Sequence, residues 1–384
     1  MRKSGLVLAV LITISGCSNS DPAPSPKATT AVASPSSGEA ATTTTTGDGD
    51  LTCWAATPAA GTPAISFKDV TEETDLIRPL TGMFGHAAAW GDVDGDLDPD
   101  LLVGTFADRP QDRYAVRGAE EASPDRLLLN GGDSFGVDEG LPETYGRTSG
   151  AVLVDLDADR DLDVVLSRNV KDSQPDMAAT EIYENVGGSF AAAASGIDTE
   201  LGGRSVGVLD YDGDGLLDLL ILEDHYRGGA SRLYRNVGDL RFEDATRAAG
   251  LPMDLAGLGV ATSDVDADGD VDFFVAGDNL LFLDDGTTFT QAPSEIFAWP
   301  SEGTEDDPAG AAFGDVDRDG RPDLVVGQHF NSTVDFGIPA PVRLFMNRTE
   351  PGGRVVFDEA GDSSGLIALP TKAPHVEIVD MDND

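Results

Sequence analysis

The chain has 384 residues, 40% of them apolar and 24% charged, enough to build a large core. Acidic side chains outnumber basic ones 69 to 25, a formal charge of −44 that repels nucleic acid and anionic lipid and points to bound cations. Forty-five glycines, 22 prolines and few long apolar runs favour a turn-rich β protein, and two cysteines exclude a disulfide framework.

Met1-Arg2-Lys3 is a basic start, and the apolar stretch Leu6 to Ile14 is too short to span a bilayer, so residues 1–17 read as a secretory signal. Its end, Ile14-Ser15-Gly16-Cys17, resembles the lipobox of bacterial lipoproteins, in which the cysteine becomes the lipidated N-terminus. Cys53 then has no partner within the chain, and stays a free thiol or pairs elsewhere. Residues 18–62 are rich in Ser, Thr, Pro and Ala, cannot bury a core, and read as a flexible tether. The expected location is therefore outside the cytoplasm, lipid-anchored in a bacterial cell envelope, with no other membrane contact.

Residues 63–384 announce themselves by repetition. Aspartates recur at positions 1, 3, 5 and 9 of five loops: Asp92, Asp94, Asp96 and Asp100; Asp155, Asp157, Asp159 and Asp163; Asp210, Asp212, Asp214 and Asp218; Asp264, Asp266, Asp268 and Asp272; Asp315, Asp317, Asp319 and Asp323. Their starts lie 63, 55, 54 and 51 residues apart, and Asp380-Met381-Asp382-Asn383-Asp384 opens a sixth copy in which the sequence stops, as expected of a fragment. Four carboxylates plus a backbone carbonyl near position 7 give a hard cation an all-oxygen shell, which suits calcium better than a thiolate- or imidazole-seeking metal. Position 6, where the loop turns sharply, is glycine in three copies but Leu97 and Arg160 in the first two, leaving calcium less secure there. An EF-hand would need glutamate at position 12, whereas Val103, Leu166, Ile221, Val275 and Val326 stand there. Each loop is instead followed by a short apolar run, so it joins two strands.

A second recurrent piece is a strand, an Asn-x-Gly turn and a phenylalanine: Leu127 to Phe135 around Asn130, Ile182 to Phe190 around Asn185, and Leu233 to Phe242 around Asn236. Phe67-Lys68-Asp69-Val70-Thr71 echoes Phe242-Glu243-Asp244-Ala245-Thr246. With these pieces the loops resemble the FG-GAP (VCBS-type) repeats of integrin α-subunit propellers. Over roughly residues 65–384 the chain is similar to bacterial relatives of the cartilage acidic protein (ASPIC-type) family. The resemblance implies an all-β fold, a seven-bladed extracellular β-propeller of four-stranded antiparallel blades carrying Ca2+ in the aspartate loops. It implies no known reaction.

In such a blade the aspartate loop joins strands one and two, and the Asn-x-Gly turn joins strands three and four, so both lie on one face. The variable connections between strands two and three, and the links between blades, fall on the other face, where binding usually resides. Ten of the 25 basic residues and all four histidines map there, among them Arg109, Arg168, His225 and His329. The candidate ligand face comprises His86, Arg147, Arg204, Tyr226, Lys372 and His375, for a polar or anionic ligand such as a glycan. Ion pairing that merely holds blades together is the competing explanation. Trp90, beside a loop glycine, reads as core.

The pattern favours a binding or adhesion module for a glycan or extracellular protein. A calcium-dependent, lyase-like polysaccharide enzyme on the same propeller and a purely structural envelope scaffold are the alternatives. No catalytic residue stands out, since no nucleophile–base spacing or phosphate-cradling loop is present.

Overall fold

The computed structural model describes residues 68–170, 177–198, 200–224, 230–297, 308–328, 342–360, 364, 366 and 375–379. The signal segment, Cys17, Cys53 and the tether lie outside them. Every described strand belongs to one compact unit.

Among the described residues, twenty strands form five four-stranded antiparallel sheets, each in sequence order, and every sheet repeats strand lengths of seven, six, five and three residues. The first strands are Gly85–Gly91, Thr148–Val154, Gly203–Leu209, Gly257–Ser263 and Pro308–Gly314. Each leads through an aspartate loop to its second strand, and each third strand ends at the residue that opens the hairpin, as expected. The sheets succeed one another with their first strands in contact, the placement of neighbouring propeller blades. Two short helices, Ile77–Leu80 and Gln111–Val116, and a 3-10 turn at Ser294–Phe297 were not foreseen.

Alternation explains why the second strands are continuous apolar runs. Leu219 and Ile221 pack with Val165, Ile182 and Tyr234 between the second and third sheets. Their neighbours Leu220 and Leu222 point the other way, into a cluster with Phe273, Val275 and Phe282 of the fourth sheet. A strand buried on both faces needs no polar side. Each such side chain contributes about 1.5–3 kcal/mol of hydrophobic transfer energy. The fifth sheet packs Val325 and Leu344 against Val376 and Ile378, which precede the sixth aspartate loop.

Trp90 corrects the expectation that it is core: it is 51% exposed and touches Phe135 edge-on. Its counterparts two residues before the loops include Leu153, Val208 and Phe313, which pack against the preceding sheet. Among the described residues no sheet precedes the first.

Candidate metal centres and a basic cluster at the opposite strand ends

All five aspartate loops share one hydrogen-bond scheme. The position-1 carboxylate accepts the N–H groups of positions 5 and 6, at 3.1 and 2.9 Å for Asp92 and 3.0 and 2.8 Å for Asp315. The position-5 carboxylate accepts the N–H of position 7, at 2.9–3.1 Å throughout. Turning the position-6 N–H inward requires a left-handed backbone there. Leu97 and Arg160 adopt it at φ 75° and 84°, as do Gly215, Gly269 and Gly320. Position 4 is left-handed too, a constraint the sequence pattern did not reveal because Ala158, Ala267 and Arg318 occupy it as well as glycine.

The position-9 aspartates, all fully buried, have a second task. One oxygen accepts the N–H of position 2 and the other accepts the N–H of the hairpin residue on the third strand. For Asp218 these are Tyr211 at 3.0 Å and Asn236 at 2.7 Å; for Asp272, Val265 at 2.8 Å and Asp284 at 2.9 Å. The loop is thereby pinned to its own sheet. Burial pushes these carboxyls up, to about 6 for Asp163 and about 7 for Asp218 and Asp272, with neighbouring aspartates adding to the rise.

In loops two to five, one oxygen each from positions 1, 3 and 9 lies within 4.8 Å of the others: Asp155, Asp157 and Asp163; Asp210, Asp212 and Asp218; Asp264, Asp266 and Asp272; Asp315, Asp317 and Asp323. In the first loop the converging set is Asp92, Asp94 and Asp96, without Asp100. The position-5 residues Asp159, Asp214, Asp268 and Asp319 stand outside the sets. Buried oxygens Asp212 Oδ1 and Asp266 Oδ1 have no hydrogen-bond partner. An orphaned carboxylate oxygen among converging ones, in an all-oxygen donor set, fits a hard divalent cation such as calcium. Such an ion would supply positive charge among the converging carboxylates.

About 20 Å away, at the other ends of the seven-residue first strands, lies the predicted ligand face. Each first strand begins with a register shift against its neighbour, and His86 and Arg204 fall within these shifts. Bulges re-aim side chains. His86 stacks on Phe106 with ring centroids 3.6 Å apart, and the Arg147 guanidinium lies 4.0 Å from the same ring. Arg109 lies over Phe84 and Phe106 at 5.7 and 5.3 Å, and pairs with no carboxylate among the described residues. Arg147 pairs with Asp108 and Arg204 with Asp224, both at 2.5 Å. Burial, then Arg109, Arg204, Arg147 and His375, push the His86 imidazole down to about 3. Four of the six predicted residues thus converge; Tyr226 and Lys372 lie outside the described residues. Phe106, Asp108 and Asp224 were missed, and their only signal was a place just after the second strand of a sheet. Arg168 is spent elsewhere: wholly buried, it pairs with Asp125 at 2.9 Å and with Glu181, and receives no solvent.

The repeat signature has an independent match. A family model described as an FG-GAP-like repeat fits residues 210–275 and 264–326, which contain loops three, four and five. The repeats over residues 210–326 are FG-GAP-like. No curated protein matches the chain in sequence. Among solved structures it is similar to the biofilm matrix protein Bap1 of V. cholerae, at 15% identity and a TM-score of 0.39, covering 74% of this chain and 40% of that one. A protein described as an exo-beta-1,3-galactanase from Bifidobacterium bifidum s17 is similar at 13% identity and a TM-score of 0.34, covering 73% and 91%. The chain thus spans less than half the length of the Bap1 structure. At these scores neither likeness carries functional weight.

Proposed function

We propose that the chain is an extracytoplasmic adhesion module, held to the cell envelope by lipidated Cys17 and the tether, stiffened by Ca2+, and binding a glycan or protein ligand. The observation that carries the calcium part is the recurrence of three converging carboxylate oxygens in all five loops. The ligand would sit on the cluster of His86, Arg109, Arg147, Arg204 and His375. Arg147 and Arg204 are paired with Asp108 and Asp224, so Arg109 leaves the cluster with a positive charge that, in so acidic a chain, attracts an anionic or polar partner. His86, held neutral with a pKa near 3, is a weak general base at neutral pH, which lends nothing to an enzymatic reading.

Two measurements test this. Thermal melting with calcium and with chelator should differ by several degrees. At millimolar calcium and a Kd of roughly 0.1–1 mM, each centre adds about 1 kcal/mol. An unchanged transition removes calcium. Retention on a polysaccharide panel, scored with new chain ends, should show calcium-dependent binding without cleavage. Arg109→Ala should weaken it, because that residue leaves no carboxylate unpaired when removed. Cleavage would make the protein an enzyme instead.

A further inference from the structure

The five loops are not equivalent in what surrounds their carboxylates. Loops one, two and four carry a fifth aspartate at position 7, namely Asp98, Asp161 and Asp270, where loops three and five have Leu216 and Arg321. The third strand behind each loop differs in the same sense. Beside its hairpin residue the third sheet has Arg235, whose Nε lies 2.6 Å from Asp212 Oδ2 and whose terminal nitrogen lies 3.1 Å from Asp214 Oδ2. The fifth has Met346 at that place and carries its arginine on the other side of the hairpin residue, just past the third strand: Arg348 lies 3.0 Å from Asp317 and 3.1 Å from Asp319, with Arg321 also paired to Asp319. The place of Arg235 is taken by Leu129, Glu184 and Leu283 in the other three sheets. Arg160 of loop two forms no ion pair with a loop carboxylate among the described residues.

We propose that Arg235 and Arg348 are built-in counter-cations that hold loops three and five together without metal and lower their calcium affinity, dividing the five centres into a tight and a weak class. The inference rests on the calcium reading above. Both guanidinium groups bind one carboxylate oxygen each of positions 3 and 5, and Asp212 leaves its other oxygen buried and unpartnered. The loop therefore remains able to accept a cation, but one that must approach a fixed positive charge. A unit charge several ångströms from a divalent ion changes affinity by about tenfold even at the dielectric constant of water. In loops one, two and four no guanidinium or ammonium group among the described residues pairs with the five carboxylates, so these centres bind first and depend on the metal most.

The test is calorimetric titration of the metal-stripped, intact protein with Ca2+, beside melting in chelator. The wild type should show three tight and two weak centres. Arg235→Met should move one centre from the weak to the tight class, about tenfold, while lowering the melting temperature in chelator; Arg348→Met should do the same. Glu184→Arg should do the reverse, weakening one tight centre and raising the metal-free melting temperature, which keeps the test decisive if the methionine variants fold poorly. A single class in the wild type, or an Arg235→Met protein whose isotherm is unchanged or weaker, overturns the proposal. Absence of any calcium heat in the wild type overturns the calcium reading itself, before a variant is made.

Discussion

Leu97 and Arg160 hold a conformation that three of the five loops assign to glycine. Leu97 does so with its side chain 87% exposed, so nothing is gained by packing that would offset the strain. A left-handed residue with a Cβ costs roughly 1–2 kcal/mol, less the roughly 0.5–1 kcal/mol that glycine loses through greater freedom in the unfolded chain. Leu97→Gly and Arg160→Gly should therefore each be neutral to stabilising by about 1 kcal/mol, read as a higher denaturant midpoint at unchanged slope. A loss of stability would mean that the side chains do something the left-handed backbone does not explain. The first two loops lack the glycine, yet they form the same position-1 hydrogen bonds as the rest. The doubtful standing of loop two in the sequence thus comes down to strain, whereas loop one also differs in geometry, since its converging carboxylates are Asp92, Asp94 and Asp96 without Asp100.

Between elements, the hairpin asparagine joins one sheet to the next. The side-chain amides of Asn185, Asn236 and Asn347 donate across the boundary to the position-2 carbonyls of Val93, Leu156 and Val265, at 3.0, 2.7 and 2.8 Å. In the fourth sheet the residue is Asp284, and the corresponding carbonyl belongs to Tyr211. Its Oδ1 accepts the Gly286 N–H at 3.0 Å, but its Oδ2 is buried with no hydrogen-bond partner, and burial pushes the carboxyl up to about 6. A carboxylate has no proton to donate where the amide of its counterparts donates one. Asp284→Asn should restore the missing bond and raise stability at neutral pH by about 1–2 kcal/mol. A melting temperature equal to or below that of the wild type would show that the third and fourth sheets are joined otherwise.

At the scale of the whole molecule, burial and like charge act together on the position-9 aspartates. Their folded pKa values, about 6 for Asp163 and about 7 for Asp218 and Asp272, lie above the usual unfolded value of about 3.9. The folded state then binds more protons than the unfolded one between those values. The stability these groups contribute is present below about pH 4 and is lost as pH rises through 6 to 7. In chelator, melting temperature should fall between pH 5 and 8. Calcium favours the ionised carboxylates, so with excess calcium the fall should vanish or reverse. Parallel curves with and without the ion would separate the buried aspartates from metal binding.

The aspartate spacing, the strand–loop–strand order and the hairpin turn were legible in the sequence because each is local. Within nine residues, side-chain type and spacing bring the position-1 and position-3 carboxylates together in every loop, and a fivefold repeat removes the ambiguity of a single copy, while the third member, position 5 in loop one and position 9 in the others, was not legible. The basic face was legible in part, because alternation along antiparallel strands says which connections share an end. What only the tertiary structure decided joins residues distant in the chain. Examples are the double duty of Asp218 toward Tyr211 and Asn236, the stacking of His86 on Phe106, and the withdrawal of Arg168 into a buried pair with Asp125. The pairing of Arg235 with loop three belongs here too. Such contacts depend on how sheets sit against one another, which side-chain packing sets and no local spacing encodes. Trp90 shows the same limit, since its exposure depends on whether another sheet covers it and not on its own neighbours in sequence.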